Sequence, residues 1–424
     1  VDETVENRCG ECAPEPVEAC DGADEDCDGV VDDGVVNACG TCSPMPCFEE
    51  DWTRPIDCAE PGRTCSGLEE HPDYPGSITL GEATFENDHI YIAVTNRNEV
   101  AQLDTDTGVK NWQVTSWGTY PSRTAVALDG SVWVTNRGFG NPADVNQSNV
   151  VHLAIDGSFI CRAPVLQIAR SAAIDADGNV WAGSFNTGHL WKISGTMVDT
   201  STSPASCVVL AEYDTGLNIY GLAADGSGNV WTATSPTTMR INTATGAMMP
   251  FGNPGHYGVA PAATGRVWFG GWSGGVNVHG IDPDGTVFMS SVGAGVVTAV
   301  TVHPDGSVWG SGYGDNSIVK IDPVTGALLC RAGIPGGVGT NPHGIAVDRL
   351  GRLWMPVYTD GWVTVWNTDC SLVASYPVDP GQVLYSYSDM TGHLLRTVTT
   401  REAFWVQDFD SGYDGASWAR VEWD

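Results

Sequence analysis

One phrase recurs along the chain: a turn, an apolar residue, a tryptophan and a run of small residues. It reads DGSVWVTNRG at 129–138, DGNVWAGSFN at 177–186, SGNVWTATSP at 227–236, TGRVWFGGWS at 264–273, DGSVWGSGYG at 305–314 and LGRLWMPVYT at 350–359. NDHIYIAVTN opens the series with Tyr91 at the aromatic position. Trp133, Trp181, Trp231, Trp268, Trp309 and Trp354 follow at intervals of 37 to 50 residues. An apolar run precedes each phrase, and a third run, a turn such as IDPDG or IDPVTG, and a fourth run follow it. Seven units of four short antiparallel strands predict an all-β fold, a seven-bladed β-propeller over residues 77–378, in which radial packing leaves only short, protected edges. An aromatic residue at one position of one strand reads as blade-to-blade packing rather than as a binding row.

Composition agrees and excludes some functions. Gly (52) and Pro (24) speak for many turns and few long helices. The net charge of −33 argues against nucleic acid or an anionic membrane surface as partner, since both repel such a chain. The charge is uneven: residues 1–70 hold 20 Asp/Glu against 3 Lys/Arg. Nine of the 13 cysteines lie before residue 66, and Cys161, Cys207, Cys330 and Cys370 are scattered later. A small, Cys-dense, core-poor segment suits an oxidising compartment, so an extracellular or cell-surface location is expected. No apolar run is long enough to span a bilayer.

Within residues 1–70, the run CDGADEDCDGVVDDG packs seven carboxylates into fifteen residues. Such density of like charge becomes sensible with a multivalent cation among the carboxylates. Counting from Asp24, alternate positions place Asp24, Asp26 and Asp28, then Gly29 for a sharp turn, Val30 for a backbone carbonyl, and Asp32. Asp21 or Asp33 supplies a further oxygen. Ca²⁺ takes six to eight hard oxygens, whereas Mg²⁺ demands a smaller octahedral cage. Val35 stands where a standard EF-hand loop has Glu. Cys20 and Cys27 fence the loop, and a disulfide between them is expected. The bland alternative is an acidic, disordered linker. The CxxC pairs Cys9/Cys12 and Cys39/Cys42 invite a zinc ribbon, but disulfides form first in an oxidising compartment.

This segment resembles a metal-binding motif of bacterial surface proteins, shared with a copper-associated surface protein of methanotrophs. The pattern C-D-G-x-D-N-D-C-D-G-x-V-D-E is met at Cys20, Asp21, Gly22, Asp24, Asp26, Cys27, Asp28, Gly29, Val31 and Asp32, with Glu25 for Asn and Asp33 for Glu. The resemblance implies a bound metal and an exported, myxobacterial-type location rather than a reaction. Copper binding is the analogy's own alternative.

The repeated phrase in turn resembles the streptogramin (virginiamycin B) lyase-like propellers, whose units read roughly GIAxDxDGxxWFTE followed by IGRIDxxTG. Aligning the first strands gives Arg123, Arg170, Tyr220, His256 with Tyr257, and His343, which should open onto one mouth of the central channel. The resemblance implies a catalytic His with Glu near this face. His343, in PHGI, fits the His-bearing phrase. The Glu after WFT is missing, for the matching stretches read WVTN, WAGS, WTAT, WFGG, WGSG and WMPV. Without a carboxylate base the acid/base pair is incomplete, so no lyase activity is expected. The ring of side chains suits an anionic or aromatic ligand, or is a solvated rim.

Two features concern the chain ends. VDETVENRCGEC at the start matches VDDGVVNACGTC at 31–42 with seven identities in twelve positions, as though a repeat were cut. After residue 380 the blade phrase stops, and residues 380–424 resemble the start of a β-sandwich-like module. The expected protein is therefore an exported structural or interaction protein. Its partners would be other copies of itself, other surface proteins or the rest of a longer chain.

Overall fold

The structure is a computed structural model. It describes residues 87–398 except 235, 253–256, 273–277 and 290–295, together with 19, 35, 63–66, 68–70, 78–80 and 404–407. The chain forms two compact units, Ala83–Thr400 and a second made of Val1–Glu82 with Arg401–Asp424. In the second, Arg63–Ser66 pairs antiparallel with Phe404–Gln407, and Leu68–Glu70 with Ile78–Leu80. The expected calcium loop, including Asp21, Asp24, Asp26, Asp28, Val30, Asp32, Asp33, Cys20 and Cys27, lies outside the described residues.

Ala83–Thr400 is a succession of antiparallel meanders. His89–Val94 begins a three-stranded sheet, and four later sheets have four strands each in sequence order. Between them, an eight-stranded sheet consists of two four-stranded meanders, joined where Arg162 of one faces Ser206 of the other. The described residues hold one α-helix, the six-residue His393–Val398, and none is long and apolar enough to cross a membrane.

The repeated phrase dictates this arrangement locally. In DADGNVW, the Asp175 carboxylate accepts the backbone N–H groups of Asp177 and Asn179 at 3.1 and 2.8 Å, closing the turn. Its other oxygen accepts the indole N–H of Trp181 at 2.8 Å. Asp225 with Trp231 and Asp348 with Trp354 repeat the bond at 2.8 and 2.7 Å. Gly178 has φ of +78°, a conformation that costs glycine nothing. One motif thus sets a hairpin and aims a large ring.

Those rings lie between sheets. All six phrase tryptophans are at most 1 % exposed, and Tyr91 is fully buried. Trp181 packs with Ile219 and Leu222 of the next meander, Trp231 with Val259 and Val267, and Trp309 with Val347 and Leu353. Trp354 of the last sheet packs with Ile90 and Ile92 of the first, which closes the ring. Two disulfides join neighbouring meanders at their outer strands and turns, Cys161–Cys207 and Cys330–Cys370, with Cα separations of 5.1 and 6.4 Å.

Residues 383–390, expected in a segment apart from the propeller, lie instead along the inner edge of the three-stranded first sheet: the backbone N–H groups of Thr95 and Tyr91 donate to Val383 O and Met390 O at 2.9 and 3.0 Å. The repeat is invisible there because this segment comes from the other end of the chain. Its approach to the last sheet is close: a Cβ on Gly344 would overlap Ser386 O, so PHGI needs glycine.

Candidate functional site

The first strands of successive meanders line the ring's centre, and their two ends differ. At their C-terminal ends Val126, Ile174 and Ala224 help enclose a small cavity, which Leu394 and Leu395 of the short helix also line. Asp389 holds that helix by accepting the N–H groups of Leu394 and Leu395 at 3.1 and 2.9 Å. Burial raises the Asp389 carboxyl to about 6, with these backbone N–H groups opposing.

At the N-terminal ends of the same strands stand the residues expected there. Arg123 is fully buried, and Arg170, Tyr257 and His343 are at most 7 % exposed. His256 lies outside the described residues. Tyr257 Oη pairs with His343 Nε2 at 2.8 Å, and the guanidinium of Arg170 lies 4.2 Å from the Tyr220 ring centre. Arg123 donates to Tyr220 O at 3.0 Å. The ring of residues inferred from sequence is therefore one connected cluster.

The cluster also contains groups the sequence reading missed. Tyr385, on the segment along the first sheet, accepts from Arg170 Nη2 at 2.5 Å and is hydrogen-bonded to Tyr257 Oη. Tyr387 lies under Arg123. Arg137 reaches the Tyr385 ring at 4.4 Å. Arg137, Phe185, Trp272, Tyr313 and Tyr358 each stand four residues after a phrase tryptophan. That position, one residue beyond the one compared for a Glu, was a legible signal. Tyr385 and Tyr387 carried none, because nothing local tells which strand they join.

Charge sets this cluster apart. Five other arginines of the unit pair with carboxylates: Arg97 with Asp379, Arg266 with Asp282, Arg331 with Asp315, Arg349 with Asp106 and Arg352 with Asp348. Arg123, Arg137 and Arg170 form no ion pair with a carboxylate among the described residues. Burial, with Arg170 and Arg137 nearby, pulls the Arg123 pKa well below its ordinary value, and burial lowers Arg137 to about 10. Burial and the three arginines also push His343 well below the usual histidine range, so its imidazole is neutral. Burial opposes ionisation of the Tyr385 phenol, yet Arg170 and Arg123 hold its pKa below the ordinary value. Burial and Tyr385 push its partner Tyr257 well above. Arg123 Nε, Arg170 Nε, His343 Nδ1 and Tyr387 Oη are buried without a hydrogen-bond partner. A buried guanidinium without a counter-charge is costly, and an anion relieves it.

Among the described residues no carboxylate stands beside His343 as a base. Residues 87–398 contain two glutamates. Glu99 accepts Gln113 Nε2 at 2.7 Å and Glu212 pairs with His189 Nδ1 at 2.5 Å, each on an outer strand region rather than beside His343. Elsewhere, Asp88, His89 and Asp104 bring ligand atoms within 4.8 Å of one another, an arrangement a metal could use.

No family model matches the chain, and no curated protein does. Solved structures do. Virginiamycin B lyase from Staphylococcus aureus is similar with TM-score 0.51 and 17% identity over 62% of this chain and 86% of that one. A streptogramin B lyase structure gives 0.53 and 17% over 72% and 96%. A functionally unknown protein from Desulfotomaculum acetoxidans gives 0.54 and 12% over 71% and 100%. At these identities the likeness speaks for the fold alone: the chain contains a β-propeller similar in fold to those of the streptogramin lyases.

Proposed function

We propose that this is an exported binding protein: a seven-bladed propeller that takes an anionic ligand at one mouth of its channel, alongside an acidic, Ca²⁺-stabilised segment. One observation carries the reading. Three buried arginines converge at the mouth without a carboxylate among the described residues, although the chain's net charge is −33. In so acidic a protein, buried cations left unpaired favour a partner that arrives from outside. Half-exposed Tyr120, Phe139 and Trp272 offer the approaching ligand flat apolar faces.

Binding is favoured over lyase chemistry because His343 has phenols and guanidiniums around it and no Glu. The two disulfides support an oxidising compartment. Calorimetric titration of the full chain with benzoate, galacturonate and inorganic phosphate tests the reading. Saturable heat from at least one of them, lost in Arg170→Met, is expected. Absence of heat from all three at millimolar concentration, or streptogramin ring-opening that disappears in His343→Ala, would overturn it. Calcium titration of the same chain, with Asp26→Ala and Asp28→Ala, tests the acidic segment separately.

A further inference from the structure

Three cations surround one phenol, one of them at its oxygen and two beside its ring. Arg170 Nη2 donates to Tyr385 Oη at 2.5 Å, while the Arg123 and Arg137 guanidiniums lie 5.6 and 4.4 Å from the Tyr385 ring centre. Tyr257, bonded through its own oxygen to neutral His343, completes the hydrogen bonds to Tyr385. The remaining groups facing Tyr385 are the rings of His343, Tyr358 and Tyr387 at 4.4, 5.8 and 5.6 Å. No carboxylate among the described residues pairs with any of the three arginines.

We propose that Tyr385 is the resident counter-ion of the mouth, a phenolate whose place is taken by the carboxylate of an organic monoanion, with one proton passing from solvent to Tyr385 as the ligand enters. The inference rests on the anion-binding reading and names its ligand class. Electroneutrality selects the class: one phenolate charge is quenched as one carboxylate charge arrives, so the charge of the cluster is unchanged. A guanidinium fork matches a carboxylate with two parallel N–H donors, and Arg123 Nε and Arg170 Nε are unpartnered. Trp272, 39 % exposed and stacked on Tyr257 with centroids 5.1 Å apart, gives the ligand's body a flat ring to lie on. Tyr257, whose own ionisation is suppressed, remains the donor to whichever oxygen is charged.

A pH titration of the full chain by tyrosinate absorbance, with and without benzoate, tests this. One of the 12 tyrosines is expected to ionise ahead of the rest. That step should be missing in Tyr385→Phe, and should move to higher pH in Tyr257→Phe and when benzoate is added. Above the step, benzoate affinity should fall about tenfold per pH unit in the wild type, and stay flat in Tyr385→Phe. Galacturonate beside benzoate separates a sugar body from an aryl one. Benzoate binding that is independent of pH, with no early tyrosinate step, would overturn the counter-ion role and leave anion binding intact. Sulfate binding as tightly as benzoate would overturn the monocarboxylate assignment. An early step with no benzoate or galacturonate binding would sink the ligand class, and the binding reading with it if phosphate also fails to bind.

Discussion

The two ends of the inner strands are made by the same stretches of chain and do opposite things. Strand Pro121–Val126 begins beside Arg123 in a cluster of cations and phenols and ends at Val126 against the Leu394–Leu395 plug. Ala169–Ile174 runs likewise from Arg170 to Ile174. At the plugged end the apolar surfaces have neighbours, and the buried carboxyl of Asp389 is used to cap a helix. At the mouth, buried donors lack partners, and the arginines have no carboxylate partner among the described residues. Stability has been optimised at one end and conceded at the other, as is usual where a site must accept something.

That contrast can be broken by substitution. Leu395→Ala at the plug should cost about 2–5 kcal/mol, because a buried side chain is lost where the surrounding strands cannot collapse; urea unfolding measures it. Removing a clip at the outer rim is next. The Cys161→Ser/Cys207→Ser pair opens a loop of 46 residues and should cost about 2–4 kcal/mol, read from the thermal midpoint under non-reducing conditions.

Asp389 gives a pH signature to the plugged end. Its carboxyl binds a proton more tightly in the folded chain, about 6 against an ordinary 3.8. Its contribution to folding is therefore fully present below pH 3.8 and is lost as pH rises through about 6. Stability should fall by roughly 2–3 kcal/mol across that window, and Asp389→Asn should flatten the curve. His343 works in the opposite sense: its depressed pKa contributes stability above the usual histidine range and loses it as pH falls. The smallest effect belongs to the mouth. Arg170→Met should change stability by about 1 kcal/mol or less, in either direction, since losing its hydrogen bond to Tyr385 is offset by relieving a desolvated charge. A loss as large as that of Leu395→Ala would mean that the cluster is structural, and the two ends would no longer differ.

Much of this was written in the sequence, for local reasons. The Gly-x-x-Trp turn phrase recurs in all six tryptophan units, and in three of them Asp175, Asp225 and Asp348 tie the turn to its tryptophan, so the phrase marks out the units and their paired strands. The aligned first strands brought Arg123, Arg170, Tyr220, Tyr257 and His343 to one mouth because equivalent positions of packed meanders share a depth. Arg137 and the aromatics four residues after each tryptophan obey the same rule. Tertiary structure alone decided the rest. Tyr385 reaches the site because the chain's later end completes its first sheet, a pairing across almost 300 residues with no periodic trace. The pairings Cys161–Cys207 and Cys330–Cys370 likewise depend on which outer strands become neighbours. That three arginines stand without carboxylates is also a fact of tertiary structure. Composition counts charges, and only the fold says how far apart they are held.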